Sequence, residues 1–371
     1  MPEVESRVGA NTIDQVLAEF DLRKDHLADL SNATERLIKA ILKEEAVPFQ
    51  SVQARVKRRD KVRTKYCSQD KNYRTLDEIP DLVGLRIITY YSDKIDQIAE
   101  IIGREFAQCA PREDKRLGKL DSFGYSAIHM DCTHSPARLG NTEYKRFADA
   151  RFEVQITTIL GHAWAEMHHP WYDELNSPSE ELRRFHRLAA VLELAEQEFL
   201  EIRKKKDDRE RIASVRVEAQ APEIPITVES LKALIEQKGI VFKMDNDLAA
   251  ILGGPIGDIP TQNQLAHLAR LVTRCGISTV QDLEEQLTKA AAAIEEYVTL
   301  CKPIWMLAQG QLSDTYTRGF SIFHLVGLTM GALGDEKYEE FVRSSGGAAH
   351  PRLKVDRQVA VAMEVVRKHH L

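Results

Sequence analysis

Two charged side chains stand at and inside a run that reads as buried strand. Asp81 and Arg86 belong to Pro-Asp-Leu-Val-Gly-Leu-Arg-Ile-Ile-Thr-Tyr-Tyr, residues 80–91. From Leu82 the run is nearly continuously apolar, rich in branched and aromatic residues, which predicts a central strand covered on both faces. A charge inside such a strand is costly unless paired. Glu153, in Arg-Phe-Glu-Val-Gln-Ile-Thr at 151–157, is a second strand-end acid, with Gln155 two residues on. Two carboxylates converging from neighbouring strands suit Mg²⁺ and nucleotide phosphates, because Mg²⁺ takes hard oxygen ligands; taken alone, the pair reads as two strand-end acids on the surface. Arg55-Val-Lys-Arg-Arg-Asp-Lys-Val-Arg-Thr-Lys65 is the most basic segment of the chain. Alone it reads as a solvated helix face; placed just before Asp81, its cations suit a polyphosphate. Tyr125, after Gly124, could stack on a base or fill a core. His129 and His168 could meet phosphate or sugar hydroxyls, or sit as satisfied core histidines. His168 and His169, adjacent on a helix, lack metal-ligand spacing. No HExxH, Walker A, GxGxxG or GxSxG motif is present.

The elements that must position these residues follow from periodicity. Ile13, Val16, Leu17 and Phe20, then Leu27 to Leu42, predict helix over residues 10–45, with Asn11 or Thr12 as cap and Pro48 as breaker. An extended stretch follows at 49–56. Ile95, Ile98, Ile101 and Ile102 mark an amphipathic helix over 94–106, residues 111–121 read as an exposed loop, and strands are expected near 125–133 and 151–157. A helix with Trp164 should end or kink at Pro170, and a longer one covers about 178–211, its basic end lacking a core face. The order predicts an α+β fold: a mixed sheet with flanking helices. Pro222 and Pro225 mark a linker at 215–225 between a domain at 1–214 and a mainly helical one at 226–371. In the second, helices are expected at 230–238, 263–275 and 280–301, with Pro303 ending or kinking the last.

The chain has 371 residues, 43% hydrophobic and 29% charged, with a formal net charge of −6. That length accommodates two ordinary domains, and the charge argues against a broadly basic surface while leaving room for a local basic groove. Five scattered cysteines without a CxxC pair suggest reduced thiols, not a disulfide framework or zinc site. The polar, acidic N-terminus does not resemble a signal peptide, and no apolar run approaches the roughly 20 residues of a membrane span. A cytoplasmic protein without membrane contact is expected.

The ordered set of Arg-x-Lys, Asp-Leu-Val-Gly-Leu-Arg, Gly-Tyr-x-x-Ile-His, Glu-Val-Gln-Ile and Ala-Trp-Ala-Glu-Met-His resembles the synthetase domain of the RelA/SpoT family over about residues 35–200. The resemblance implies a nucleotidyltransferase-like fold and transfer of pyrophosphate from ATP to the 3′-hydroxyl of GDP or GTP. Arg55, Lys57, Lys65 and Arg86 would bind ATP phosphates. Asp81 would hold Mg²⁺, and Glu153 would complete the metal site or help deprotonate the attacking hydroxyl. Tyr125 would stack on the acceptor base, while Gln155, His129 and His168 would line the acceptor side. Ser126 and Thr157 stand where the family commonly has arginine. About 50 mostly helical residues replace the family's preceding hydrolase domain, as in a small, synthetase-only member. Some such members are toxins that modify the 3′ end of tRNA, a second expectation; here Arg112, Lys115, Arg116 and Lys119 would dock the RNA. A non-catalytic nucleotide-binding module is the third. Residues 226–371 resemble no family and are expected to engage a regulatory partner or a second copy.

Overall fold

The computed structural model describes residues 12–67, 73–79, 81–114, 127–148, 150–172, 180–309, 315–333 and 352–370. Two compact units are separable, Met1–Arg203 and Lys204–Leu371.

In the first unit, α1 (Ile13–Glu44) opens on Thr12, whose hydroxyl accepts from the Gln15 backbone while the Gln15 side chain answers the Thr12 N–H. This reciprocal cap satisfies two otherwise orphaned donors and contributes about 1 kcal/mol. Val16, Leu17, Phe20, Leu27, Leu30, Ile38 and Leu42 form its buried stripe. Then come β1 (Ser51–Val56), α2 (Arg59–Tyr66), a single 3₁₀ turn at Leu76–Glu78, β2 (Val83–Thr89), α3 (Lys94–Glu105), β3 (Phe106–Gln108) and β4 (Glu113–Asp114). Next are β5 (Ala127–His134), the short α4 (Pro136–Leu139) and α5 (Thr142–Lys145), β6 (Phe152–Thr158), α6 (Ile159–Tyr172) and the long α7 (Glu180–Glu218). The strands make a mixed sheet in the order β1-β2-β6-β5-β3, with β4 added to β5. Among the described residues, only β2 and β6 of the sheet run parallel. The α+β expectation for this half is met.

Strand alternation sorts the sheet into two faces. Val83, Leu85, Ile87, Phe152, Val154, Ile156, Ile128, Met130 and Cys132 are buried on one face and join a single core with α1 and α3. On the other face the ladder aligns Arg55, Gly84, Glu153 and Asp131 in one row, and Gln53, Arg86, Gln155, His129 and Glu113 in the next. This corrects the expectation that the Leu82–Tyr91 strand is covered on both sides. Double burial is confined to its last three residues, while Gly84 and Arg86 are only half-buried. The apolar run hides the difference because Gly84 and Arg86 alone break it. Residues 111–121, expected as a loop, contribute β4 through Glu113 and Asp114.

Pro170 does not end α6, which runs two residues past it; so near the C-terminus a proline forfeits one hydrogen bond and little else. Likewise α7 continues through the expected boundary at Val215 to Glu218, because Val217 gains a place in the core of the second unit.

The second unit contains, after the end of α7, α8 (Val228–Glu236), α9 (Ile240–Leu252), α10 (Gln262–Arg274), α11 (Val280–Gln309), α12 (Phe320–Ala332) and α13 (Arg352–His369). Capping boxes at Thr227 and Thr261 start α8 and α10. Pro303 lies inside α11 without ending it; Tyr297, Val298 and Cys301 are buried before it, and Trp305 packs edge-on against Tyr297 beyond it. Packing on both sides outweighs the lost hydrogen bond. Asp245, 2% exposed, accepts the Gly319 and Ser321 N–H groups at 2.6 and 2.9 Å and so caps α12. Among the described residues, no helix is long and apolar enough to cross a membrane.

Candidate functional site

The polar face of the sheet is where the chemistry-bearing residues meet. Arg55 sits exposed on β1 beside Gly84. Lys57 follows the end of β1, and the turn of α2 brings Lys65 back toward it. Both ammonium groups close on Asp81, just ahead of β2: Lys57 Nζ to Oδ2 at 2.5 Å and Lys65 Nζ to Oδ1 at 2.7 Å. The basic segment is therefore divided between a strand, a connection and a helix, and two of its cations converge on one carboxylate. Burial opposes ionisation of Asp81, but the hydrogen bonds and charges of Lys57 and Lys65 outweigh it and hold its pKa below the ordinary value.

Glu153, second residue of β6, is held from two sides. His129 Nδ1 lies 2.9 Å from Oε1, and Gln155 Nε2 donates to Oε2 at 2.8 Å. Here too burial pushes the pKa up, and the bonds from His129 and Gln155 more than reverse it, while the charge of Asp81 works against them. The two carboxylates thus sense each other and both stay ionised at neutral pH.

Arg86 reaches across β6 toward α6. Its guanidinium donates to Gln155 Oε1 at 3.4 Å, meets His162 Nδ1 at 2.9 Å and pairs with Glu166 Oε1 at 2.5 Å. Since Arg86 can only donate, Nδ1 of His162 accepts and the ring is neutral with its proton on Nε2. Consistent with this, burial and then the charge of Arg86 lower the His162 pKa. Glu166 is kept low chiefly by its Arg86 hydrogen bond, with Arg55 adding a smaller attraction. Asp131, level with Glu153 on β5, is bound by Arg151.

The structure gathers Asp81, Lys57, Lys65, Arg86, Glu153, Gln155 and His129 around one patch, with Arg55 at its edge. Tyr125, with Ser126, Lys115, Arg116 and Lys119, lies outside the described residues. His168 falls in α6, with its side chain outside the description. Arg112 is exposed, 4.0 Å from Asp96. Thr157 is fully buried, between Ile88 and Ala127 in the ladder. Sequence reasoning missed His162, Glu166, Asp131 and Arg151. The first two form an i, i+4 pair one residue to either side of Ala163 and Ala165, and the spacing could have flagged them as one face of the helix that follows β6.

Hard oxygen donors, several cations and an open sheet face suit a divalent cation with a phosphorylated ligand. Residues 54–176 match the family model described as the region found in RelA / SpoT proteins, so the sheet of the first unit carries a RelA/SpoT region. Similar solved structures include small alarmone synthetase 1 from Bacillus subtilis, at 20% identity and a TM-score of 0.44 over 51% of this chain and 98% of that one. Small alarmone synthetase 2 from the same organism gives 20% and 0.43 over 50% and 99%. A GTP pyrophosphokinase family protein from Streptococcus pneumoniae gives 20% and 0.41 over 52% and 94%. A search of curated proteins finds no match.

Proposed function

We propose that the first unit is a pyrophosphokinase that moves the β,γ-pyrophosphoryl group of ATP to the 3′-hydroxyl of a guanine nucleotide. The observation that carries this reading is the convergence of Lys57 and Lys65 on Asp81, beside Glu153, on the open face of a RelA/SpoT region. The acceptor oxygen bonds the β-phosphorus, the bond from that phosphorus to the α,β-bridging oxygen breaks, and AMP leaves with the bridging oxygen. The acceptor hydroxyl gives up its proton in the same exchange.

Each residue has a physical task in that scheme. Arg55, Lys57, Lys65 and Arg86 neutralise a triphosphate that carries about four negative charges, the main contribution a protein makes to such transfers. Asp81 and Glu153 fit Mg²⁺: both are ionised oxygen donors, and each raises the cost of the other's charge, a repulsion that a divalent cation relieves. When bound, the ion would screen the phosphates and polarise the transferring group. The depressed pKa of Glu153 favours metal ligation over proton abstraction, because a carboxylate below its ordinary pKa is a weak base. His129 and Gln155 hold it in place. Gln155, His129, Tyr125 and His168 would line the acceptor side.

The test uses purified full chain with ATP labelled in the γ-phosphate, offered GDP, GTP, ATP or bulk tRNA. Label is expected in a guanine nucleotide, with AMP formed in equal amount and turnover lowered at least 100-fold in Asp81→Asn and Glu153→Gln. Label in tRNA instead would move the acceptor to the tRNA 3′ end. Unchanged turnover in both variants would remove these carboxylates from the site.

A further inference from the structure

The open face of the sheet is charged asymmetrically. Its cations Arg55, Lys57, Lys65 and Arg86 come from β1, β2 and the segment around α2, whereas β3, β4, β5 and β6 contain no lysine or arginine. On that second half the ladder sets Glu153 beside Asp131, with Glu113 in the next row. A substrate that brought negative charge to the β5 side would therefore meet carboxylates. Arg151 answers them from just outside the strands. It immediately precedes β6, its Nη2 donates to Asp131 Oδ2, and the Cys109 thiol lies beside it.

That ion pair is incompletely made. An arginine and a carboxylate can share two parallel N–H···O bonds, but here one donor is engaged. Asp131 Oδ1 and Arg151 Nε are both buried and have no hydrogen-bond partner among the described residues. The Asp131 side chain is 16% exposed and that of Arg151 37%, so the carboxylate is nearly covered while the guanidinium side chain still reaches solvent. A partly engaged guanidinium on an open face matches the oxygens of a phosphate.

We propose that Arg151 anchors the phosphate on C5′ of the acceptor nucleotide, and that Asp131 holds the guanidinium in place until that phosphate arrives. The inference rests on the pyrophosphokinase reading above. Neighbouring strands lie about 4.8 Å apart. Glu153 thus stands one spacing from β2, which Asp81 precedes, and one spacing from Asp131 on the other side. The donor triphosphate takes the β1–β2 side, where the lysines are. An acceptor whose 3′-hydroxyl is presented at Glu153 has the β5 side left for its ribose and C5′ phosphate, and Arg151 is the cation on that side. Selectivity follows from the same pair: a nucleoside without a 5′-phosphate leaves Arg151 on Asp131 and gains nothing from it.

Equilibrium binding of guanosine, GMP and GDP to the full chain tests this without turnover, in the presence of Mg²⁺ and an ATP analogue whose α,β-bridge is a methylene. GDP should bind at least about 10-fold tighter than guanosine, the scale of a charge-assisted hydrogen bond, with GMP showing most of the gain. Arg151→Gln should cut that preference to roughly 3-fold or less, and Arg151→Lys should recover part of it. Asp131→Asn removes the competing carboxylate and keeps the cation, so the preference should hold or rise. An ion pair that only braces the strands predicts otherwise, since breaking it from either end is the same loss. Equal effects of Arg151→Gln and Asp131→Asn, or a preference that Arg151→Gln leaves intact, would overturn the proposal. Failure of every guanine nucleotide to bind would overturn it together with the reaction. A preference carried by Arg151 in a chain that transfers no label would support the anchor and overturn the reaction alone.

Discussion

Acidifying the solution from pH 7 to pH 5 should weaken the first unit through a single buried ring. His134, last residue of β5, is 1% exposed. Its ring lies among those of Phe106, Tyr144, Phe147 and Phe152, with centroids 5.0 to 6.0 Å away. Its Nε2 is 3.3 Å from the Thr34 hydroxyl on α1. Burial, helped by the charge of Arg138, pushes its pKa down to about 4 from an ordinary 6.5. In the fold the ring is neutral, whereas the unfolded chain takes up a proton as the pH drops through 6.5. The stability is therefore fully present above 6.5 and is lost as pH falls toward 4. Linkage between those two values gives a loss of about 2 kcal/mol between pH 7 and pH 5. Urea unfolding at each pH, followed by a hydrogen-exchange pulse at one fixed pH and read in the peptide Ala127–His134, isolates the first unit. His134→Gln keeps a partner for Thr34 but cannot titrate, so its midpoint should move less than the wild type's by the equivalent of that figure. Equal slopes in the two proteins would refute the assignment of the ring as buried and neutral.

Three further outcomes follow from the geometry. Lys65→Met removes one of the two ammonium groups holding the Asp81 pKa down; the acid limb of the pH–rate profile should move upward and turnover fall about 10-fold. Glu166→Gln releases Arg86 from an ion pair whose acid is 60% exposed. Thermal stability should barely change, within about 0.5 kcal/mol, while KM for ATP falls two- to five-fold; an unchanged KM would take Arg86 out of the phosphate site. Gly319 has φ +81°, and a methyl group there would sit 2.6 Å from Ile235 Cδ1. Gly319→Ala should destabilise the helical unit by roughly 1–3 kcal/mol, read as faster exchange in α12 peptides.

What the sequence revealed was set by how periodic each segment is. α1 and α3 carry one apolar stripe each, and β6 alternates cleanly, so their type and inner face were legible. β2 misled because its half-open face is marked by just Gly84 and Arg86 among seven strand residues. The site was legible as residue types in an order. Its geometry was not: nothing in the spacing from Lys57 to Lys65 says that an intervening turn and helix return the second amine to the same carboxylate. His162 and Glu166 stayed hidden because they flank Ala163, Trp164 and Ala165, where the apolar residues dominate the reading. In the second unit α12, apolar on nearly every side, lacks the contrast from which a helix period is read, and it was missed together with α9 and α13.

The order of strands in the sheet has a consequence for how the protein is made. Lys57 meets Asp81 across 24 positions, but Arg86 must wait for Gln155 and Glu166, which lie 69 and 80 positions later. Because β2 can acquire its parallel neighbour only when β6 has been synthesised, no nascent chain shorter than residue 158 can hold the patch together. After that point a ribosome adding 5–20 residues per second spends about 10–40 s on residues 159–371. During that interval the sheet has all its strands while the helical unit is still being translated.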